Sequence, residues 1–175
     1  KLSNYKEIYD LTSKYNNVYG SIGTHPNNAH IEPNITAKNI VDISRENKKI
    51  VAIGECGLDY YRGKGHSKIQ ESLFREHIEA SNYLDMPFII HNRSSDNDME
   101  KILIDESKNK KLKGVLHCFS STKRLAEVAI EIGLYISVTG IITFKNSINL
   151  KEIIKTIPKD RIFIETDAPF LAPTP

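Results

Sequence analysis

Two carboxylates and two imidazoles close four short apolar runs. Glu55 follows Lys49-Ile50-Val51-Ala52-Ile53-Gly54, His91 ends Phe88-Ile89-Ile90, His117 ends Gly114-Val115-Leu116, and Asp167 stands just after Ile162-Phe163-Ile164. Oxygen and nitrogen donors in this mixture suit Zn, Mn, Fe or, with waters, Mg. No His-x-x-x-His pair is present, so a metal site must be assembled by the fold. Glu55 is the natural bridging carboxylate, able to hold two cations roughly 3.5–4 Å apart that would activate water and offset charge on a phosphoryl or acyl oxygen. Taken singly, each residue also has a plainer reading. His91 or His117 reads as a hydrogen-bonded structural histidine, Glu55 as a turn cap and Asp167 as an N-cap. Four such coincidences on one sheet edge are harder to accept than one metal site.

Other residues belong to the same rim. Gly23-Thr24-His25-Pro26 follows a strand-like run and projects His25 there. Arg93, two residues after His91, has the planar fork that binds phosphate, and reads equally as a surface salt bridge. The loop Asp59-Tyr60-Tyr61-Arg62-Gly63-Lys64-Gly65-His66 mixes aromatic, basic and glycine residues. Tyr60 or Tyr61 stacking on bases, with Arg62 and Lys64 near the backbone, would suit single-stranded nucleic acid; a solvated loop is the alternative. His77 lies on the apolar side of a helical pattern, whereas His30 and His66 lie in polar loops. The glycines flanking Glu55 are expected to let a ligand approach the backbone. Cys56 and Cys118, each directly after a proposed ligand, are expected to face away from it as small buried fillers.

The elements that must position these residues alternate. Strand-like runs fall near Val18–Ile22, Ile50–Gly54, Pro87–His91, Gly114–His117, Leu134–Val138 and Arg161–Glu165. Leu125, Val128, Ala129 and Ile132 have the i, i+3, i+4, i+7 spacing of an amphipathic helix, as do Leu150, Ile153, Ile154 and Ile157. Further helices are predicted near Asn4–Tyr15, Ala37–Asn47, Lys68–Leu84 and Asp98–Ser107. Apolar strands separated by helices imply an α/β fold with a covered parallel sheet. Ligands on such folds gather at the carboxyl ends of the strands, where all four candidates fall. Six strands in 175 residues are too few for a closed eight-stranded barrel, which takes about 250 residues.

Composition narrows the class without naming a substrate. A net charge of +2 and a pI of about 8.4 give no bulk-charge argument for nucleic-acid binding and do not exclude an acidic substrate. Two cysteines supply no disulfide framework and point to a reducing compartment. No apolar run approaches the ~20 residues of a membrane span. A cytoplasmic or nuclear protein with no membrane partner is the expectation.

The ordered motifs Gly23-Thr24-His25-Pro26, Gly54-Glu55-Cys56-Gly57-Leu58-Asp59-Tyr60, His91-Asn92-Arg93, His117-Cys118-Phe119-Ser120 and Glu165-Thr166-Asp167-Ala168-Pro169 resemble the TatD-type deoxyribonuclease family over essentially the whole chain. The resemblance implies a TIM-type (β/α) barrel of the amidohydrolase superfamily, with about six of eight strands present here and truncation at both ends. It implies a metal-dependent DNase, with 3′-to-5′ exonuclease activity in some members. Glu55 would bridge two divalent metals (Mg, Mn or Zn), and His91 and His117 would complete one site. Asp167 would bind the other metal and position or deprotonate the attacking water, making Glu55 and Asp167 the catalytic pair. His25 and Arg93 would contact substrate phosphate. The family's opening His-x-His pair is not in these residues, so only one complete metal site is expected.

Three functions follow as alternatives: hydrolysis of DNA phosphodiesters, with single-stranded DNA or 3′ ends as substrate; ester or amide hydrolysis on the same scaffold; and a non-catalytic DNA-binding fragment. One barrel hosts many chemistries, so fold and metal alone do not separate the first two.

Overall fold

A computed structural model describes residues 1–174 apart from Lys64 and Asn109. Six strands, β1 (Gly20–Ile22), β2 (Ile50–Asp59), β3 (Phe88–Arg93), β4 (Gly114–Leu116), β5 (Tyr135–Val138) and β6 (Ile162–Ile164), form one sheet in chain order. Every neighbouring pair is parallel. Between and before them lie α1 (Tyr5–Lys14), α2 (Ala37–Arg45), α3 (Ser67–Leu84), α4 (Asp96–Ser107), α5 (Lys123–Glu131) and α6 (Ile148–Lys155). A strand order that never reverses, with right-handed crossovers, puts each helix on the same side of the sheet. That is barrel winding rather than doubly wound stacking, and among the described residues the barrel is open, with β1 and β6 at its edges.

Alternation along the strands separates the two faces. Phe88 and Ile90 of β3, Leu116 of β4 and Ile136 of β5 are fully buried in the core with Phe74 and Ile78 of α3, Ile102 and Leu103 of α4 and Leu125 and Ala129 of α5. Burial of each of the larger of these side chains, the leucines, isoleucines and phenylalanines, contributes roughly 1.5–3 kcal/mol. The alternate residues Ile89, Val115 and Tyr135 face the opposite side and stay half-buried, and the Tyr135 ring stacks on Phe163 at 4.6 Å. His91 lies two residues beyond Ile89, on that inner face.

Local chemistry explains the helix starts. Thr36 and Asn39 form a reciprocal capping box at α2, and Thr122 accepts from the Leu125 N–H at α5. The predicted helices are all present. The end of the Leu150 stripe differs: Ile157 is buried but lies beyond the last residue of α6.

Strand β2 departs most from the expectation. It does not stop at Gly54 but runs on to Asp59, so Glu55 lies inside a strand. Ile53 pairs with Phe88 while Cys56 pairs with Ile90, so three steps on β2 match two on β3. The extra residue is a β-bulge at Gly54-Glu55, a device that re-aims a side chain. The flanking glycines admit the neighbouring strand: a Cβ on Gly54 would stand 2.8 Å from the Ile89 carbonyl oxygen. Gly57 has φ +133°, and a Cβ there would stand 2.1 Å from the His91 carbonyl oxygen.

Candidate metal centre

The bulge brings Glu55 to the middle of three histidines. Its Oε1 lies 2.8 Å from His91 Nδ1, 3.7 Å from His25 Nε2 and 3.7 Å from His117 Nε2. His117 Nε2 also lies 3.4 Å from Asp167 Oδ1. Single donor atoms of His25, Glu55 and His91 all fall within 4.8 Å of one another. Five residues singled out from the sequence therefore converge, carried by the ends of β1, β3, β4 and β6 and by the bulge of β2. Each is half-buried.

Backbone conformation contributes to the convergence. Ser94, Cys118 and Asp167, just beyond β3, β4 and β6, have φ of 56°, 46° and 54°. Non-glycine residues in the left-handed region cost on the order of 1 kcal/mol or more, and such strain collects at functional sites. At Cys118 it also overturns an expectation. The residue is not on an extended strand, is only half-buried, and sets its Sγ 3.4 Å from Thr139 Oγ1. Cys56 is fully buried, as expected.

Two acids unassigned in the sequence support the histidines. Glu165 Oε2 accepts from His117 Nδ1 at 2.6 Å, while its Oε1 accepts from the Cys118 N–H at 2.7 Å and from the Ser137 hydroxyl. Asp59, buried, sets Oδ2 3.2 Å from His91 Nε2 and accepts from the Arg62 N–H at 2.8 Å. A carboxylate behind a histidine fixes the tautomer and raises the basicity of the far nitrogen. Asp59 belongs to the Gly54-Glu55-Cys56-Gly57-Leu58-Asp59-Tyr60 motif, four residues after Glu55, and reaches His91 from the last residue of β2.

The donor chemistry fits a cation. A neutral His117 that donates Nδ1–H to Glu165 turns the Nε2 lone pair toward the oxygens of Glu55 and Asp167. His91 faces a carboxylate with each ring nitrogen, yet a neutral imidazole carries one N–H, so one contact sets a lone pair against an anion. A positive charge among these atoms resolves both conflicts. His25 differs. Its Nδ1 accepts from the Asn27 N–H at 3.1 Å, which leaves the proton of the neutral ring on Nε2. It therefore faces Glu55 as a hydrogen-bond donor, not as a lone pair.

Titration follows the same field. Burial pushes the Glu55 carboxyl up, but the His91 hydrogen bond and the positive potential of His25, His91 and His117 hold it below its ordinary value. Burial pulls His117 down, yet the Glu165 hydrogen bond and the carboxylates of Glu55, Glu165 and Asp167 lift it above its ordinary value. The negative surroundings that favour a proton there favour a cation too. His25 is pulled down to about 4, burial outweighing the attraction of Glu55.

Arg93 ends β3, exposed, with its guanidinium 4.2 Å over the ring of Tyr61, and among the described residues it forms no salt bridge. Tyr60 and Tyr61 are not equivalent. The Tyr60 hydroxyl lies 3.1 Å from both Glu71 and Asp98, tying it into the fold, while Tyr61 is exposed. Lys64 lies outside the described residues. His30 and His66 stack on each other at 4.7 Å rather than joining the centre. A cavity of about 580 Å³, lined by Val138, Ile142, Pro169 and Phe170, opens beside Glu165. No helix among the described residues is long and apolar enough to cross a membrane.

Comparison with known proteins agrees with this architecture. An uncharacterized metal-dependent hydrolase of Buchnera aphidicola is 43% identical over 180 residues, covering 99% of this chain and 67% of its own length. The 3′-5′ ssDNA/RNA exonuclease TatD of Klebsiella pneumoniae is 32% identical, covering 93% of this chain and 62% of its own. The crystal structure of a TatD homolog from Escherichia coli superposes with a TM-score of 0.88 at 25% identity, over 99% of this chain and 66% of that one. The chain thus spans about two thirds of the length of the relatives it matches. The family model described as TatD related DNase matches residues 1–175, and the chain belongs to that family.

Proposed function

We propose that this chain carries the cation-binding face of a hydrolase that cleaves phosphodiester bonds of single-stranded nucleic acid, DNA above all, from the 3′ end. The observation that carries the reading is the placement of Glu55 Oε1 among His25, His91 and His117, with Asp167 beyond His117. The likeness to a relative named as a 3′-5′ ssDNA/RNA exonuclease supports the polarity and the substrate.

Glu55, His91, His117 and Asp167 would hold one or two divalent cations, of which Mg, Mn and Zn suit the donors. A cation there supplies Lewis acidity for water attack and for charge building on a phosphoryl oxygen. Asp167, half-buried just beyond β6, accepts the proton of the attacking water. His25 offers its Nε2–H to a phosphate oxygen, and Arg93 binds the neighbouring phosphate through its fork. Glu165 and Asp59 hold His117 and His91 in their tautomers. The apolar cavity beside Glu165 takes a base or sugar.

The test is digestion of 3′-labelled and 5′-labelled single-stranded DNA and RNA with Mg²⁺, Mn²⁺ or EDTA, beside His117→Ala. Cation-dependent stepwise loss of the 3′ label, absent in the variant, is the expected result. Equal cleavage by the variant would remove His117 from the site. Hydrolysis of small esters or amides with nucleic acid left intact would overturn the substrate.

A further inference from the structure

His77 has no place among the groups described so far, yet it is fully buried in α3 and makes two hydrogen bonds with distinct partners. Its Nδ1 lies 2.7 Å from the Leu73 carbonyl oxygen, which can only accept. Nδ1 therefore carries the proton. Its Nε2 accepts from the Thr24 N–H at 2.9 Å, across 53 residues of sequence. A neutral ring satisfies both contacts; burial, which pulls this histidine down to about 4, keeps it neutral. A leucine or phenylalanine would fill the volume but leave the Thr24 N–H without an acceptor.

Thr24 is held from a second side. Its hydroxyl donates to Glu32 Oε2 at 2.5 Å, and the same carboxylate accepts from the Leu2 and Ser3 N–H groups at 3.0 and 2.9 Å. The next residue is His25. The ring of His25 lies 4.5 Å from that of His91, and its Nε2 faces Glu55. One peptide therefore separates a doubly anchored backbone from the imidazole that points into the centre.

We infer that His77 is a positioning residue: as a neutral Nδ1–H tautomer it fixes the Thr24 amide and thereby aims His25 at the Glu55 centre. The inference takes the role of His25 in substrate binding from the reading above, but the aiming itself is a separate claim.

Two substitutions separate the contacts. In His77→Asn the amide occupies the place of Nδ1, keeping the Leu73 contact and losing the Thr24 acceptor. In His77→Gln the carbonyl reaches the place of Nε2 and keeps it. Both are polar and both leave some space, so their melting temperatures should fall together. Amide exchange at Thr24, followed by NMR without cation or substrate, should speed at least tenfold in His77→Asn and stay within about threefold of the parent in His77→Gln. The KM for single-stranded DNA should rise in His77→Asn with little change in kcat, and the double variant with His25→Ala should be no worse than His25→Ala alone. Equal exchange in the two variants, or additive losses with His25→Ala, would reduce His77 to a structural residue. Should the parent neither bind nor cleave nucleic acid, the proposed function fails, while Thr24 exchange still decides whether His77 holds the loop.

Discussion

His117 turns one ring nitrogen to Glu165 at 2.6 Å and the other to Asp167 at 3.4 Å. The acid behind the ring is held by the Cys118 N–H and the Ser137 hydroxyl, so it cannot follow the ring if the ring turns. Glu165, so anchored, gives this histidine its direction.

Glu165→Ala should therefore weaken Mn²⁺ or Zn²⁺ binding by about 10–100-fold, the usual cost of losing a supporting carboxylate. Calorimetric titration checks this, with circular dichroism confirming the fold. Unchanged affinity would mean that His117 needs no orienting group.

Arg93 should act on substrate and not on the cation. Arg93→Ala should raise KM for single-stranded DNA, keep kcat within a few-fold and reduce the salt slope by roughly 0.7, one phosphate contact. Tyr61→Ala should give a weaker version of the same change, because the ring supports the guanidinium. A salt dependence identical to the parent would place Arg93 away from the phosphates.

Gly57→Ala should destabilise by more than about 2 kcal/mol, since it combines a left-handed strain with a Cβ inside contact distance of the His91 backbone. Urea unfolding measures it. A neutral result would show that β3 can move away from β2 at no cost.

Acid should loosen the fold through His77. Its folded value of about 4 lies below the ordinary 6.5, so between these values the unfolded chain binds the extra proton. Stability must then fall as pH falls through that window, by about 1.4 kcal/mol per pH unit for one proton. Urea unfolding from pH 7 to 4.5 should show a steeper slope in the parent than in His77→Gln, the difference being the His77 proton, since His25, also held at about 4, contributes to both. Parallel slopes would contradict it.

The six strands and six helices were legible because apolar runs and helical stripes are local signals. The extent of β2 was not. Gly54 and Gly57 look like strand terminators, and only the closeness of β3 shows that they admit a neighbour. Within the centre, Glu55, His91, His117, Asp167 and His25 stood out by type and place. Asp59 and Glu165 carry the same chemistry but declare themselves only by the histidine each one faces. Cys118 was misread because parity counting assumes an extended chain, and its left-handed backbone breaks the count. Tyr60 and Tyr61 are adjacent and alike in sequence; partners on α3 and α4 make one a tie, while the other lies exposed beneath Arg93.

The strictly sequential strand order has a consequence for how the protein comes into being. His25 and Asp167 stand at opposite ends of the sheet, and Glu55 meets His117 only after β2, β3 and β4 have found their registers. Parallel pairings close long loops before any contact rewards them, so they form late and slowly. Helical signal should return early on dilution from denaturant, and cation affinity should return last. The centre is then a gauge of complete assembly, since a chain that has merely collapsed brings no two of its ligands together.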